Sequence, residues 1–260
     1  MKIIHISDLH HKKHTGVKKL IKDIILYYQN QPEKPKIVLS GDLVHSSLNK
    51  RKMSEVKTYL QSLLDNDFEL LICPGNHDLK IKGVVGNPIK SLTVFNKYFS
   101  SLLPKNSNYN GEEDNDLLNY PVVHKYDNHF FIGLNSLQKN AKFARGRLGK
   151  RQVQELNETI VEINSEFENP VILVYLHHNP FYFPYKYDSL KLENRKFFLE
   201  VVRGINILLF GHYHKNIRYK QEEKDYNIDC IQLTGYSTLG INSYWTEIDT
   251  ETFETTEIKC

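Results

Sequence analysis

Carboxylate and imidazole side chains follow the apolar segments of this chain at the point where each segment ends. Asp42 comes just after the β-branched run Lys36–Ser40, and Asp8 and His10 follow the similar run Lys2–Ile6. Short apolar runs bounded by polar residues predict buried strands. We therefore expect these three side chains at the carboxyl ends of strands, where loops of an α/β sheet gather ligand-binding groups in one crevice.

The same arrangement recurs at four further strand ends. The polar residues there are, in chain order, Asn76 and His77, Asn135 and Ser136, His177 and His178, and His212 and His214. Nitrogen and oxygen donors of this kind suit Mn, Fe or Zn better than Mg or Ca. The sequence therefore indicates a transition-metal site along one edge of the fold.

These patterns differ in how informative they are. A Gly-Asp pair after a strand is also typical of a turn whose Asp caps the next helix, so Asp42 alone decides little. Gly211-His212-x-His214 is more specific, because a chain with 13 Gly and 12 His contains this pattern by chance only roughly 0.03 times. The order of the motifs and their placement at strand ends strengthen each of them.

Composition bounds the remaining possibilities. The 260 residues carry a formal net charge of +3 with acidic and basic residues interspersed, so no basic stripe predicts nucleic-acid binding. Cys73, Cys230 and Cys260 lack metal-type spacing and favour a reducing compartment. The N-terminus does not resemble a signal peptide, and no apolar run reaches about 18 residues. We expect a cytoplasmic protein without a membrane segment.

Amphipathic helices alternate with the apolar strands, which predicts an α/β domain. The predicted helices are Gly16–Gln29, Arg51–Leu64, Ile89–Leu103, Lys150–Phe167 and Asp188–Val202. Further strands are predicted at Glu69–Cys73, Phe130–Leu134, Val171–Leu176 and Ile205–Phe210, and a closing antiparallel set includes Asp229–Thr234 and Ser243–Ile248. Residues 79–128, with the acidic loop Asn106–Asn119, are interpreted as an insertion beside the site.

Taken together, the motifs resemble those of the calcineurin-like metallophosphoesterase superfamily. That family carries D-x-H, G-D, G-N-H-[DE], H and G-H-x-H in this order, and the chain has all five between Asp8 and His214. Gly146-Arg147-Leu148-Gly149 and the His-His-x-Pro form look most like the class III cyclic-nucleotide phosphodiesterase group. The resemblance implies one domain over residues 1–260, a four-layer αββα sandwich of two mixed sheets flanked by helices.

The resemblance also implies a role for each motif residue. Asp42 would bridge two metal ions, Mn, Fe or Zn, and His77 would be the histidine that donates a proton to the phosphoryl oxygen or the leaving group. Asp78 would orient the ring of His77. The remaining ligands would be Asp8, His10 and His214 for one ion and Asn76, His177 and His212 for the other.

Phosphate esters are anionic and repel hydroxide, so paired cations can neutralise the ester and generate the attacking hydroxide at neutral pH. We therefore predict hydrolysis of phosphodiesters, including cyclic or nucleotide-derived ones, by a metal-bound hydroxide. The alternatives are a phosphomonoesterase or nuclease of the same superfamily, or a binding scaffold that has lost its metals. The expected partner is a small phosphate ester or nucleotide, with nucleic acid disfavoured, and the sequence predicts no oligomeric state.

Several residues stay open on sequence alone. His45 lies close to Asp42, and His178 competes with His177 because adjacent side chains on an extended segment point in opposite directions. The aromatic run Phe181–Tyr187 either covers the core or lines the site. The histidines that match no motif are expected to be surface or packed residues: His5, His11, His14, His124 and His129.

Overall fold

Two mixed β-sheets form the framework of the computed structural model, which describes residues 1–12, 16–104, 120–138, 141–181, 190–214, 218–219, 231–234 and 244–259. The strands are β1 (Lys2–Ile6), β2 (Lys36–Ser40), β3 (Glu69–Cys73), β4 (Val122–Tyr126), β5 (His129–Gly133), β6 (Val171–Tyr175), β7 (Ile207–Phe210), β8 (Arg218–Tyr219), β9 (Ile231–Thr234), β10 (Tyr244–Asp249) and β11 (Thr255–Lys259). The helices are α1 (Gly16–Tyr28), α2 (Lys50–Leu64), α3 (Asn76–Leu79), α4 (Pro88–Phe99), α5 (Lys150–Glu166) and α6 (Arg195–Val201).

The first sheet has the order β11-β10-β1-β2-β3 and the second has the order β4-β5-β6-β7-β9-β8. In the first sheet β1, β2 and β3 are parallel, and their register pairs Ile6 with Leu39 and Leu39 with Ile72. In the second sheet β5, β6, β7 and β9 are parallel. The carboxyl ends of the parallel strands therefore line up along one edge of each sheet.

Three hydrophobic clusters fill the interfaces between the layers. One packs α1, α2 and α4 on the first sheet, with Leu20 and Ile24 of α1 buried there. A second packs α5 and α6 on the other sheet. The third lies between the sheets, where Val38 and Leu71 lie in the same cluster as Leu173. This arrangement confirms the predicted four-layer sandwich of two mixed sheets flanked by helices.

Local sequence explains where the helices begin. The Asn49 side chain accepts a hydrogen bond of 3.1 Å from the amide of Lys52 and so caps α2. Asn87 caps α4 in the same way, and Pro88 occupies the first helical position, where its missing amide hydrogen costs nothing. Across the described ranges, no helix combines the length and apolar character that a membrane crossing requires.

One predicted helix is shorter in the structure. α6 begins at Arg195, whereas the pattern predicted a start at Asp188, which lies outside the described residues. The backbone of residues 191–193 is used differently: Gly146 donates to the carbonyl of Lys191 at 3.1 Å, and Glu193 donates to the carbonyl of Gly146 at 2.8 Å. Because these backbone groups pair with Gly146 in an extended conformation, they cannot form helical hydrogen bonds, and the helix begins only at Arg195.

The closing strands also differ from the prediction. β10 and β11 are antiparallel and complete the first sheet, as expected, but β9 pairs in parallel with β7 in the second sheet.

Residues 79–128 are more than an insertion, because α4 buries Leu92, Phe95 and Phe99 in the core and β4 forms a sheet edge. The acidic loop Asn106–Asn119 lies outside the described residues.

Candidate metal centre

The loops that leave β1 and β2 are joined by backbone hydrogen bonds that hold their polar side chains together. The amide of Asp8 donates to the carbonyl of Gly41 at 3.0 Å, and the amide of His10 donates to the carbonyl of Asp42 at 2.8 Å. Asp8, His10 and Asp42 all have left-handed backbone conformations, with φ of 55°, 42° and 56°. Such conformations are uncommon for residues with a Cβ and concentrate at functional sites.

The loop after β7 completes this arrangement. His212 and His214 also have positive φ, 71° and 54°. The amide of His212 donates to the Asp8 carboxylate, at 3.0 Å from Oδ2, so the Gly-His-x-His loop is tied to the loop after β1. Five of the predicted ligands therefore lie on strained turns that meet where the carboxyl ends of strands from both sheets come together.

A first cluster of possible metal ligands contains Asp8, His10, Asp42 and His214, with one ligand atom from each lying within 4.8 Å of all the others. His10 Nε2 lies 3.5 Å from Asp42 Oδ2 and 2.8 Å from His214 Nε2. His214 Nε2 lies 3.3 Å from Asp8 Oδ1. Two carboxylates and two imidazoles converging in this way match the donor set that transition metals prefer.

A second cluster contains Asp42, His177 and His212. His177 Nε2 is its centre, at 3.2 Å from Asp42 Oδ2, 3.1 Å from His212 Nδ1 and 3.0 Å from Asn76 Oδ1. A hydrogen bond on the other side of the amide orients Asn76, because its Nδ2 donates to the carbonyl of Gly83 at 3.0 Å. That contact presents Oδ1 of Asn76 to the cluster.

Asp42 belongs to both clusters, and its two carboxylate oxygens differ. Oδ1 accepts a hydrogen bond of 2.7 Å from the amide of His77. Oδ2 is buried and has no hydrogen-bond partner among the described residues, while imidazole nitrogens flank it on two sides. A buried carboxylate oxygen left in this state is costly unless a cation completes its surroundings. The residues present therefore fit a pair of metal ions that share Asp42.

The charges of the cluster support this conclusion. Burial disfavours the charged form of Asp42, but the surrounding imidazoles, His177 foremost and then His10 and His77, together outweigh burial and hold the pKa of that carboxyl well below its usual range. Burial likewise opposes the charge on His177, yet Asp42 raises the pKa of His177 to about 9. A proton on His177 thus supplies positive charge that a bound cation would replace, and metal binding competes with such a proton.

His77 lies beside both clusters, and its ring nitrogens have different surroundings. Nδ1 lies 2.8 Å from the carbonyl oxygen of His45. A carbonyl only accepts, so Nδ1 carries the hydrogen and Nε2 is left to take or give a proton. Burial lowers the pKa of His77.

Among the described residues no hydrogen bond joins Asp78 to the ring of His77, which the sequence predicted it to orient. Its carboxylate accepts hydrogen bonds from the amides of Gly75 at 2.9 Å and Val44 at 3.0 Å. Burial, and next Asp42, raise the pKa of Asp78 to about 7. Asp78 therefore fastens the turn before α3 to the loop that follows Asp42, and the backbone of His45 orients His77.

His178 lies outside both clusters, which separates it from His177. Its Nε2 lies 3.1 Å from the carbonyl oxygen of Ala144, and its Nδ1 lies 2.8 Å from Ser136 Oγ. The carbonyl requires a hydrogen on Nε2, so Ser136 donates to Nδ1 of a neutral ring. The ring packs 4.5 Å from that of His212, and its role is to support the cluster.

Sequence reasoning missed how tightly this support is built. A Cβ atom on Gly146 would lie 2.3 Å from Cγ of His178, so the segment around Gly146 covers the ring directly. Asn135, the neighbour of Ser136, has its backbone amide and carbonyl bound by the side chain of Gln152 at 2.9 and 3.0 Å. Gly146-Arg147-Leu148-Gly149 is recognisable as a motif in the sequence, but no sequence pattern indicated that this segment contacts His178.

The remaining open residues have distinct positions. His45 forms a further group with His10 and His77, and its ring centroid lies 5.1 Å from that of His77. Phe181 is buried against Phe210, whereas residues 182–187 of the aromatic run lie outside the described part of the chain, as does His14. The other histidines without a motif are buried or half-buried and belong to none of these groups: His5, His11, His124 and His129.

Comparison with known proteins agrees with this geometry. A family model described as calcineurin-like phosphoesterase matches residues 1–216. No curated protein sequence matches the chain significantly.

Similar solved structures include a dimetal phosphatase from Danio rerio, with a TM-score of 0.66 and 14% identity over 100% of this chain and 95% of that chain. The purple acid phosphatase PPD1 from yellow lupin (Lupinus luteus) has a TM-score of 0.61 and 10% identity, covering 100% of this chain and 53% of its own. The protein TT1561 of Thermus thermophilus has a TM-score of 0.59 and 8% identity, with 99% of this chain and 98% of that chain covered. At these identities the likeness concerns the fold.

Proposed function

The chain belongs to the calcineurin-like phosphoesterase family, and from this premise we propose that it hydrolyses small phosphate esters, with phosphodiesters as its preferred substrates. The observation that carries the proposal is the shared Asp42, whose buried Oδ2 lies between two sets of nitrogen donors, 3.5 Å from His10 Nε2 and 3.2 Å from His177 Nε2. A carboxylate placed between two sets of nitrogen donors can serve two cations at once.

In this proposal the first ion, Mn, Fe or Zn, is held by Asp8, His10, Asp42 and His214. The second is held by Asp42, Asn76, His177 and His212. Two such ions supply positive charge to the phosphoryl oxygens and act as Lewis acids. The protein contributes the fixed placement of these donors, because backbone hydrogen bonds hold the turns on which they lie.

His77 is proposed to give a proton to the leaving-group oxygen through Nε2. Its Nδ1 is engaged by the carbonyl of His45 at 2.8 Å, and its backbone amide donates to Asp42 Oδ1 at 2.7 Å. The ring is therefore fixed relative to the bridging carboxylate. A positioned donor of this kind contributes about 10² to 10⁴-fold to rate.

The preference for diesters is supported by two cationic side chains, those of Lys80 and Arg147, which are engaged with other partners. A monoester dianion carries one more charge than a diester and benefits from an additional cation. Lys80 Nζ donates instead to the carbonyls of Ala141 at 2.8 Å and Phe143 at 2.7 Å. Arg147 pairs with Glu193 at 3.4 Å, so its charge is partly compensated.

A substrate panel tests the proposal. Purified protein loaded with Mn, Fe or Zn is assayed on an aryl phosphodiester, an aryl phosphomonoester, and 2′,3′- and 3′,5′-cyclic nucleotides, with the Asp42→Asn variant as the matched control. We expect kcat/KM to be highest for a diester and to be lost in the variant. Faster monoester turnover would contradict the diester preference, and no turnover of any ester would contradict the enzymatic function.

A further inference from the structure

Exposed apolar side chains concentrate beside the metal centre. Among the described residues, nine large hydrophobic side chains are exposed, and five of them lie on segments that flank the site. We call these five the apolar rim: Leu48, Val84, Val85, Ile89 and Phe143. Leu48 is 68% exposed, and Val85 and Phe143 are each 64% exposed. Single exposed hydrophobic residues are ordinary, whereas several that lie on neighbouring segments beside a reaction centre indicate a binding surface.

Hydrogen bonds bring together three segments of the rim, those that carry Leu48, Val84 with Val85, and Phe143. The amide of Ser47, next to Leu48, donates to the carbonyl of Lys80 at 3.2 Å. Lys80 Nζ donates in turn to the carbonyl of Phe143 at 2.7 Å. The turn of residues 81–85 is closed by the amide of Ile81, which donates to the carbonyl of Val85 at 2.6 Å. All three segments therefore meet around Lys80, just after α3.

The turn of residues 81–85 also lies directly against His77. A Cβ atom on Gly83, which has φ of 76°, would lie 2.6 Å from His77 Nε2 and 2.4 Å from Asn76 Nδ2. Nε2 is the nitrogen to which we assign the proton for the leaving group. A leaving group that receives this proton must therefore pass beside the turn that carries Val84 and Val85.

We propose that the apolar rim binds the organic part of the substrate on its leaving-group side, so that the favoured substrates are phosphate esters of alkyl or aryl alcohols. This inference rests on the proposed function, because it assumes that a phosphate ester is cleaved at the metal centre. A fully buried methylene group strengthens binding by roughly fourfold, so partial burial on this rim amounts to about twofold per methylene.

An unsymmetrical diester tests the rim by internal competition. Phenyl para-butylphenyl phosphate carries two leaving phenols of nearly equal acidity, one of them extended by an apolar chain. Hydrolysis consumes one water, breaks one P–O bond and releases either phenol with the complementary aryl phosphate. The ratio of the two phenols depends on which group occupies the leaving side, and it is independent of enzyme concentration and metal loading.

In the wild type we expect para-butylphenol to exceed phenol by about fivefold or more. Leu48→Ser combined with Val85→Ser, and separately Phe143→Asn, which suits the left-handed φ of 51° at this position, should move the ratio toward unity. Val161→Ser is the matched control, because Val161 is 60% exposed on α5 and lies outside the rim. A polar probe, phenyl para-(hydroxymethyl)phenyl phosphate, should show no such excess.

The outcomes separate the two proposals. Hydrolysis with a phenol ratio near unity in the wild type, or a ratio unchanged in both rim variants, overturns the inference and leaves the proposed function standing. If only monoesters are turned over, the kcat/KM ratio of para-butylphenyl phosphate to phenyl phosphate gives the same comparison, with the same result required. Absence of hydrolysis of every ester overturns the proposed function and this inference with it.

Discussion

The ring of His77 is oriented by the backbone of His45: Nδ1 of His77 lies 2.8 Å from the carbonyl oxygen of His45. His45, which follows the Gly41-Asp42 motif, therefore acts on His77 through its main-chain carbonyl. A main-chain contact survives side-chain substitution, which gives this relationship a direct test.

His77→Ala should lower kcat by about 10² to 10⁴-fold, because it removes the proton donor while the metal ligands remain. His45→Ala is the matched control, since it keeps the orienting carbonyl and should retain most of kcat. Steady-state kinetics on esters with good and poor leaving groups checks this. Equal losses across the series in His77→Ala would show that His77 acts on the phosphoryl oxygen and not on the leaving group.

Asp78→Asn should affect stability more than the chemistry of His77. The Asp78 carboxylate accepts from the amides of Gly75 and Val44, and an amide side chain offers one acceptor oxygen in place of two. One buried amide then loses its partner, which costs about 1 to 3 kcal/mol of the free energy of unfolding. Urea denaturation measures this loss. A variant with unchanged stability but a shifted pH profile for kcat would favour the original prediction that Asp78 acts on His77.

Gly146→Ala should impair both folding and activity. Its Cβ would lie 2.3 Å from Cγ of His178, a fully buried ring that packs on His212. Overpacking of this kind costs about 1 to 3 kcal/mol. Gly149→Ala is the control in the same segment, because there the closest atom, at 2.9 Å, is the end of the Gln138 side chain, which can move. Similar thermal midpoints for the two variants would contradict the proposed contact.

His124 should make the protein less stable in acid. The ring is fully buried, and both of its nitrogens lack hydrogen-bond partners within the described part of the chain. Burial lowers the pKa of His124 to about 4, so the unfolded chain binds a proton at its ordinary pKa of about 6.5 while the native state does not. Stability therefore falls as the pH drops from about 6.5 to 4, by about 3 kcal/mol from this group.

His124→Phe removes this contribution. We expect the free energy of unfolding of the variant to depend less steeply on pH between about 6.5 and 4 than that of the wild type, measured by denaturation at several pH values. Identical slopes for the two proteins would show that folding does not lower the pKa of His124.

Strand ends were predictable from the sequence because apolar runs and glycines mark them. β2 and β3 occupy the predicted residues, and the ligand clusters form from the loops that follow such strands. The partners of His77 and His178 were not predictable in this way, since the carbonyls of His45 and Ala144 belong to the backbone and carry no residue signature. The late start of α6 likewise depends on the hydrogen bonds that residues 191–193, just before the helix, make with Gly146. Helical periodicity in the sequence does not indicate such a contact.

The metal content of Asp42→Asn tests the central claim most directly. Wild-type protein reconstituted with Mn, Fe or Zn and analysed by elemental mass spectrometry should hold two ions per chain. Asp42→Asn should lose both, because an amide cannot supply bridging charge, whereas His10→Ala should mainly weaken one. Two tightly bound ions and full activity in Asp42→Asn would contradict the claim that Asp42 joins the two sites.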